Sequence, residues 1–405
     1  MKILFCHNYY QQPGGEDRVF ADETALMESR GHEVLTYTIH NDSIRERSKL
    51  ALACGTLWNR RIARELRARV ERERVELVHF HNTFPLISPA AYYAVRQAGA
   101  AVVQTLHNFR LLCPQATFLR NAQVCTECLG RRVPWPAIRH ACYRDDRLAT
   151  ATLTASLTLH RLLNTYRRSV DQYISLTEFA RSLFIRGGLP AEKLAVKPNF
   201  VYESPAVGRG EGGFALFVGR LSVEKGVLPL LAAWELLGDA IPLRIIGDGP
   251  LAEQVRQAAA RQPAIQWHGS QTAAEVQRAM QMAACLILPS TWYEGLPKTL
   301  VEAFSVGTPV IGSRLGAMEE LIEPDRTGAL FAPDDAAQLA DVVRQFWDDP
   351  AAQLRLRQGA RAEYEFRYSA ERNYELLTEI YQQALVRRWP ERAAHLEPLA
   401  CGEVS

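Results

Sequence analysis

The chain has 405 residues, 47% of them hydrophobic, and a net charge of +2 from 47 Lys+Arg against 45 Asp+Glu. That length exceeds one ordinary core, so two domains are expected, and no apolar run reaches the roughly 20 residues that a membrane-spanning helix needs. The opening Met-Lys-Ile-Leu-Phe-Cys-His-Asn is too short and too soon polar for a secretion signal, so a cytoplasmic chain with reduced thiols is expected.

In chain order, short apolar runs alternate with amphipathic stretches. The first half holds Ile3–Cys6, Val34–Ile39, Leu77–Phe80, Ala101–Leu106, Tyr173–Leu176 and Leu194–Val196. The second holds Ala215–Val218, Leu243–Ile246, Ile265–Trp267, Cys285–Leu288, Pro309–Ile311 and Ala329–Phe331. Strands alternating with helices predict parallel sheets joined by crossover helices, here two doubly wound sets. Between them, Tyr202 to Gly213 is rich in glycine and reads as a linker. The expected boundaries are a first domain over 1–201, a linker over 202–213, a second domain over 214–369, and a final helix with a tail over 370–405.

Charge is uneven. Residues 1–200 carry 28 Lys+Arg and 18 Asp+Glu, and the remainder 19 and 27. Arg60 to Arg74 concentrates the basic charge on a helical pattern whose apolar stripe is Ile62, Leu66 and Val70. It reads as an ordinary surface helix, with contact to an anionic membrane face as the alternative. The acidic second half and the lack of interleaved aromatic and basic residues argue against nucleic acid.

The most informative stretch runs from Thr291 to Ser305. Pro297, with no N–H and a preset φ, suits the first position of a helix. Glu294 then lies in the loop before that helix and Glu302 about one turn inside it. Between them fall the free amides of a helix N-terminus, which attract phosphate. Two carboxylates flanking such an end suit a sugar nucleotide. The run, with Glu294-Gly295-Leu296-Pro297 at its centre, resembles the Glu-x7-Glu motif of retaining GT-B glycosyltransferases, above all glycosyltransferase family 4. The likeness covers nearly the whole chain. It implies an α/β fold of two doubly wound Rossmann-like domains facing across a cleft, with the last helix, about Ala370 to Arg388, crossing back to the first domain.

Other segments carry the same resemblance. Gly219-Arg220-Leu221 through Lys225-Gly226 is similar to the family's donor-diphosphate segment, which implies Arg220 and Lys225 as the diphosphate cations; a guanidinium fork and an ammonium suit that task. Gly247-Asp-Gly-Pro resembles the turn beside the nucleotide, and His268-Gly269 falls where the family often meets the base. Each reads equally well as a plain turn. Gly14-Gly15 resembles the family's N-terminal glycine loop near the donor phosphate. His107, ending the run Ala101–Leu106, matches a histidine that touches the donor sugar. His79 and His81 read as structural. Glu178 matches a family loop, with Thr177 as a competing helix cap. Lys197-Pro-Asn-Phe200 departs from the family's commoner Pro-Asn-Gly. No Gly-x-Gly-x-x-Gly follows a strand, which disfavours a nicotinamide dinucleotide, and Asp-x-Asp is absent, so no catalytic metal is expected.

Cys113, Cys125, Cys128 and Cys142 cluster in an insertion over about 110–145. Their spacing suits a closed tetrahedral zinc site of structural use, with His140 as a substitute ligand. Reduced or redox thiols and an iron–sulfur cluster stay open. The resemblance implies transfer of a sugar from a nucleotide diphosphate sugar, UDP- or GDP-linked, to a glycan or lipid-linked acceptor in surface polysaccharide synthesis. The rival readings are a GT-B sugar-nucleotide 2-epimerase and a non-catalytic sugar-nucleotide or zinc-knuckle binder.

Overall fold

The computed structural model describes residues 1–11 and 14–391. The tail over 392–405, and Gln12 and Pro13 of the glycine loop, lie outside the described residues. Contacts divide the chain into two compact units. Among the described residues, one holds 1–117, 126–198 and 371–391; the other holds 118–125 and 199–370.

The first unit is built on a parallel sheet of β1 (Lys2–Tyr9), β2 (Glu33–His40), β3 (Leu77–Asn82), β4 (Ala101–Leu106), β7 (Gln172–Ser175) and β8 (Leu194–Val196), in the order β2-β1-β3-β4-β7-β8. Every residue of β3 and β4 is buried, as expected of central strands covered on both faces. Helix Arg60–Glu73 forms where the apolar stripe predicts it, with Ile62, Leu66 and Val70 buried and the Asn59 side chain accepting from the amide of Ile62. The Thr177 hydroxyl likewise caps helix Glu178–Arg186. The last helix, Ala370–Arg388, lays Leu377, Ile380, Tyr381 and Leu385 against Ile3, Phe5, Val103 and Ile174 of this sheet. Full burial of such side chains contributes about 1.5–3 kcal/mol each, enough to hold this helix on the sheet.

The second unit contains a short antiparallel pair, β5 (Leu119–Arg120) with β6 (Gln123–Val124). Its main sheet is parallel, formed by β9 (Ala215–Val218), β10 (Leu243–Ile246), β11 (Ile265–Trp267), β12 (Cys285–Leu288), β13 (Val310–Ser313) and β14 (Gly328–Phe331), in the order β11-β10-β9-β12-β13-β14. Its core gathers Phe217, Leu230, Trp234, Ile245, Ile287 and Leu339. The glycine-rich stretch read as a linker is fastened to this unit. Gly208 and Gly210 donate backbone hydrogen bonds to Val306 and Gln281, and the Arg357 guanidinium donates to the carbonyls of Gly208 and Ala283.

Both sheets reverse their winding direction once, between β1 and β3 in the first and between β9 and β12 in the second. Loops diverge at such a point, and ligands of open parallel sheets bind beyond the strand C-termini there. Among the described residues no helix is long and apolar enough to cross a membrane.

Candidate active site

In the second unit, the loops leaving β9, β10, β11 and β12 interlock at the C-terminal edge of the sheet. The amide of Gly219 donates to Ile246, that of Leu221 to Asp248, that of Gly247 to Gly269, and that of Thr291 to Glu224. Arg220, Lys225, Gly247, His268, Gly269, Glu294, Gly295, Leu296 and Pro297 therefore share one edge. Two backbone devices make this close meshing work. Gly226 has φ +71, and a Cβ there would lie 1.7 Å from the carbonyl oxygen of Pro289; at Gly247 a Cβ would lie 1.9 Å from that of Gly219. Only glycine fits either position.

The centre of this edge is an ion pair. Lys225 Nζ lies 2.6 Å from Glu294 Oε1, and the Ser290 hydroxyl donates to the same oxygen at 2.7 Å. Lys225 also lies over the Trp292 ring, 5.4 Å from its centroid. Burial alone would push the Glu294 carboxyl up, but Lys225 and Ser290 outweigh it and hold it below its ordinary range. Arg220 is exposed and has no ion-pair partner among the described residues. His268 is exposed just past β11.

The helix that follows spans Lys298–Ser305, with Glu302 partly buried within it. One expectation needs correction here. Pro297 is not the first helical residue but the cap before it, with extended backbone (φ −62, ψ 121), and its carbonyl accepts from Leu300. Proline's fixed φ is compatible with either position, so its place is set by ψ, which the ring does not restrain.

Gly14, Gly15 and His107 belong to the first unit. Gly14 caps helix Gly15–Ser29, and its amide donates to Asp17, whose other oxygen lies 2.7 Å from His7 Nε2. In the first turn of that helix burial, with Asp17 adding to it, raises the Glu16 carboxyl to about 8. His107 follows β4 directly, with Nε2 3.1 Å from His81 Nδ1. A cavity beside these two is walled by Tyr92, Asn108, Arg110 and Leu157. Burial holds His107 neutral, its pKa well below the ordinary value.

Among the four clustered cysteines, Cys113 and Cys128 are buried and Cys125 and Cys142 partly so. The contact division assigns Cys125 to the second unit and the other three to the first.

Ser290, Trp292 and Glu16 are parts of these edges that motif reading passes over. Ser290 had a signal, since it follows the apolar run that ends before Glu294. Glu16 had none beyond its place after two glycines, because its burial comes from residues distant in sequence.

Residues 13–204 match the model of glycosyltransferase family 4, and residues 205–363 that of glycosyl transferases group 1. Glycogen synthase of Mycobacterium tuberculosis is 34% identical over 184 residues, 44% of this chain and 42% of that protein. Lipopolysaccharide 1,6-galactosyltransferase of Escherichia coli K12 is 28% identical over 200 residues, 46% of this chain and 55% of that protein. The matches thus span about half the length of these relatives. Among solved structures, Anabaena HepE in complex with UDP superposes with a TM-score of 0.66 at 18% identity, covering 94% of this chain and 99% of that one. The same protein is also known in complex with UDP-glucose. The two family matches join without a gap from residue 13 to 363, and with two doubly wound parallel sheets beneath them the chain belongs to the family 4, group 1 glycosyltransferases of GT-B fold.

Proposed function

We propose that the chain is a retaining glycosyltransferase, moving a sugar from a nucleotide diphosphate sugar to a glycan or lipid-linked acceptor in cell-surface polysaccharide synthesis. The observation that carries this reading is the Lys225–Glu294 pair, set at 2.6 Å on the edge where the second sheet reverses. Bond breaking builds negative charge on the departing diphosphate. Arg220, Lys225 and the amides that begin helix Lys298–Ser305 would stabilise that charge as it develops. Glu294, ionised and anchored, would accept hydrogen bonds from the donor sugar and Glu302 from the ribose. Gly14 and Gly15 leave room for a phosphate, and Gly247, His268 and Gly269 would meet the base. The first unit would contribute His107 beside the donor sugar. The acceptor hydroxyl would attack from the face the diphosphate leaves, giving its proton to the departing phosphate. No metal is needed for this charge balance. A uridine nucleotide is supported by the UDP and UDP-glucose complexes of HepE, and a GDP-sugar is the alternative donor.

Structural zinc on Cys113, Cys125, Cys128 and Cys142 is part of the proposal; metal analysis of the purified protein checks it. The basic first half would serve contact with the inner face of an anionic membrane, and binding to vesicles of anionic lipid tests that.

The deciding experiment is a panel of labelled UDP-, GDP- and ADP-sugars with wild type and Glu294→Ala. Transfer should fall by about a hundredfold or more in the variant, the scale for removing a preorganised polar group. A binder without catalysis would keep most of its affinity and show no turnover in either protein. Full turnover by Glu294→Ala would overturn the reading.

A further inference from the structure

Beneath the C-terminal edge of the first sheet lies a buried group of ionisable side chains, of which only His107 enters the proposed donor chemistry. His7 comes from β1, Glu23 from helix Gly15–Ser29, His79 and His81 from β3, His107 from just beyond β4, and Lys197 from just beyond β8. Side chains of Glu23, His79, His81 and Lys197 have no exposure at all. Lys197 Nζ lies 2.5 Å from Glu23 Oε1. Glu23 Oε2 faces His81 Nε2 at 3.4 Å, and His81 Nδ1 faces His107 Nε2 at 3.1 Å.

Ligand atoms of Glu23, His79 and His81 fall within 4.8 Å of one another, which invites a metal reading. Two facts count against it. Both nitrogens of His79 are already engaged, Nδ1 with the Tyr381 hydroxyl and Nε2 with the Thr105 hydroxyl, each at 2.8 Å. The cation that balances Glu23 is already present as the Lys197 ammonium. The group is better understood as a chain of hydrogen bonds running outward to His107.

We infer that Glu23, acting through His81, fixes His107 as its Nε2–H tautomer, so that the atom His107 offers to substrate is the Nδ1 lone pair. The inference rests on the reading that His107 meets substrate. Burial opposes the Glu23 carboxylate, but Lys197 and His81 outweigh that and hold its pKa well below the ordinary value, so it can only accept hydrogen bonds. Burial also keeps His81 and His107 neutral, each pKa lying below the ordinary histidine value. Among the described residues, Glu23 Oε2 and His81 Nε2 are both buried without a hydrogen-bond partner, and they face each other at 3.4 Å, so a proton placed between them satisfies both. The proton of neutral His81 must then sit on Nε2, because the opposite tautomer would set a lone pair against a carboxylate. His81 Nδ1 is left as an acceptor, and His107 Nε2 has to be the donor to it. A neutral imidazole has one N–H, so His107 Nδ1 is bare. The remaining neighbours preserve this arrangement. His7 pairs with Asp17 rather than with the chain, and His79 and Tyr381 satisfy each other.

A bare ring nitrogen accepts a hydrogen bond from a hydroxyl and repels a phosphate or carbonyl oxygen. The ligand group at His107 is therefore a sugar hydroxyl, of the donor or the acceptor. Glu23 and His81 are positioning residues, since neither needs to touch substrate.

Long-range 15N–1H correlation spectra of histidine-labelled protein test the tautomer directly, with His107→Gln assigning the resonances. The expected spectrum shows His107 Nε2 protonated and Nδ1 bare at neutral pH; the reverse pattern, or both nitrogens protonated, overturns the inference without any variant needing to fold. Glu23→Gln supplies the kinetic arm. The buried Lys197 ammonium then takes the single amide oxygen, the amide NH2 faces His81, and both histidines invert. The expected result is a fall in kcat on the order of tenfold to a hundredfold with KM for the nucleotide sugar little changed. Adding Lys197→Met frees the amide oxygen to face His81 and should restore the native tautomer and most of kcat. An unaltered His107 spectrum in folded Glu23→Gln overturns the relay. Full turnover by His107→Gln instead overturns the functional reading and leaves the tautomer assignment standing.

Discussion

Replacing Lys225 by methionine removes the cation that holds Glu294 and keeps most of the side chain's volume. Glu294 would be left buried with the Ser290 hydroxyl as its hydrogen-bond donor. Removing one partner of a fully buried pair costs about 3–5 kcal/mol. Here the Lys225 side chain is 28% exposed against 8% for Glu294, so water reaches one end of the pair and the cost drops to about 2–3 kcal/mol. In a unit of this size that is a fall of about 5–10 °C in its melting temperature. The pH dependence gives the sharper signature. In the wild type the Glu294 pKa lies below its ordinary value of 4.5. Its stabilisation is therefore complete above 4.5 and lost as pH falls through the lowered folded-state value. In the variant, burial acts without Lys225 and raises that value, so the difference between the two proteins should be largest near neutrality and shrink in acid. Calorimetric melts from pH 7 down to the acid limit of folding measure it, and adding Glu294→Gln should recover much of the loss. A Lys225→Met protein with wild-type stability at neutral pH would refute the claim that this pair organises the site. Affinity for UDP should fall in parallel, because the same ammonium is proposed to hold the diphosphate.

Gly226→Ala places a methyl 1.7 Å from the Pro289 carbonyl at a φ of +71. Denaturant unfolding should show a loss of about 2–4 kcal/mol, with weakened UDP binding because Lys225 precedes the displaced residue; a change within about 0.5 kcal/mol would mean the turn is looser than described. Glu16, raised to about 8 from 4.5, binds its proton more tightly in the folded chain than in the unfolded one. Its presence should cost stability progressively as pH rises from 4.5 to 8, so Glu16→Gln should gain on wild type across that interval. Parallel pH–stability curves for the two proteins would contradict the burial of this carboxyl.

All twelve main strands were legible as apolar runs, because central strands covered on both faces are mostly apolar, and even the edge strand β2, which has no fully buried residue, carries Val34, Leu35 and Ile39. Ala101–Leu106, Ala215–Val218, Leu243–Ile246 and Cys285–Leu288 occur with the very bounds read from sequence. The candidate site residues of the second unit were legible for a related reason. Arg220, Lys225 and Glu294 sit within one short loop of a strand end, so a local motif carries their positions. The β5–β6 pair was not legible; its strands have two residues each and no periodicity to read.

What the sequence by itself determined was the alternation of strand and helix, and with it the placing of Arg220, Lys225 and Glu294 at strand C-termini. Only the tertiary structure decided which of these groups meet. The Lys225–Glu294 pair joins residues 69 positions apart, and the Lys197–Glu23 pair joins residues 174 apart. Glu23 falls on the buried stripe with Phe20 and Met27, and Lys197 lies between Val196 and Pro198, so each looks misplaced when read alone. The physical reason is that a buried charge is tolerable only beside its opposite, and a sheet that reverses its winding brings together strand ends far apart along the chain.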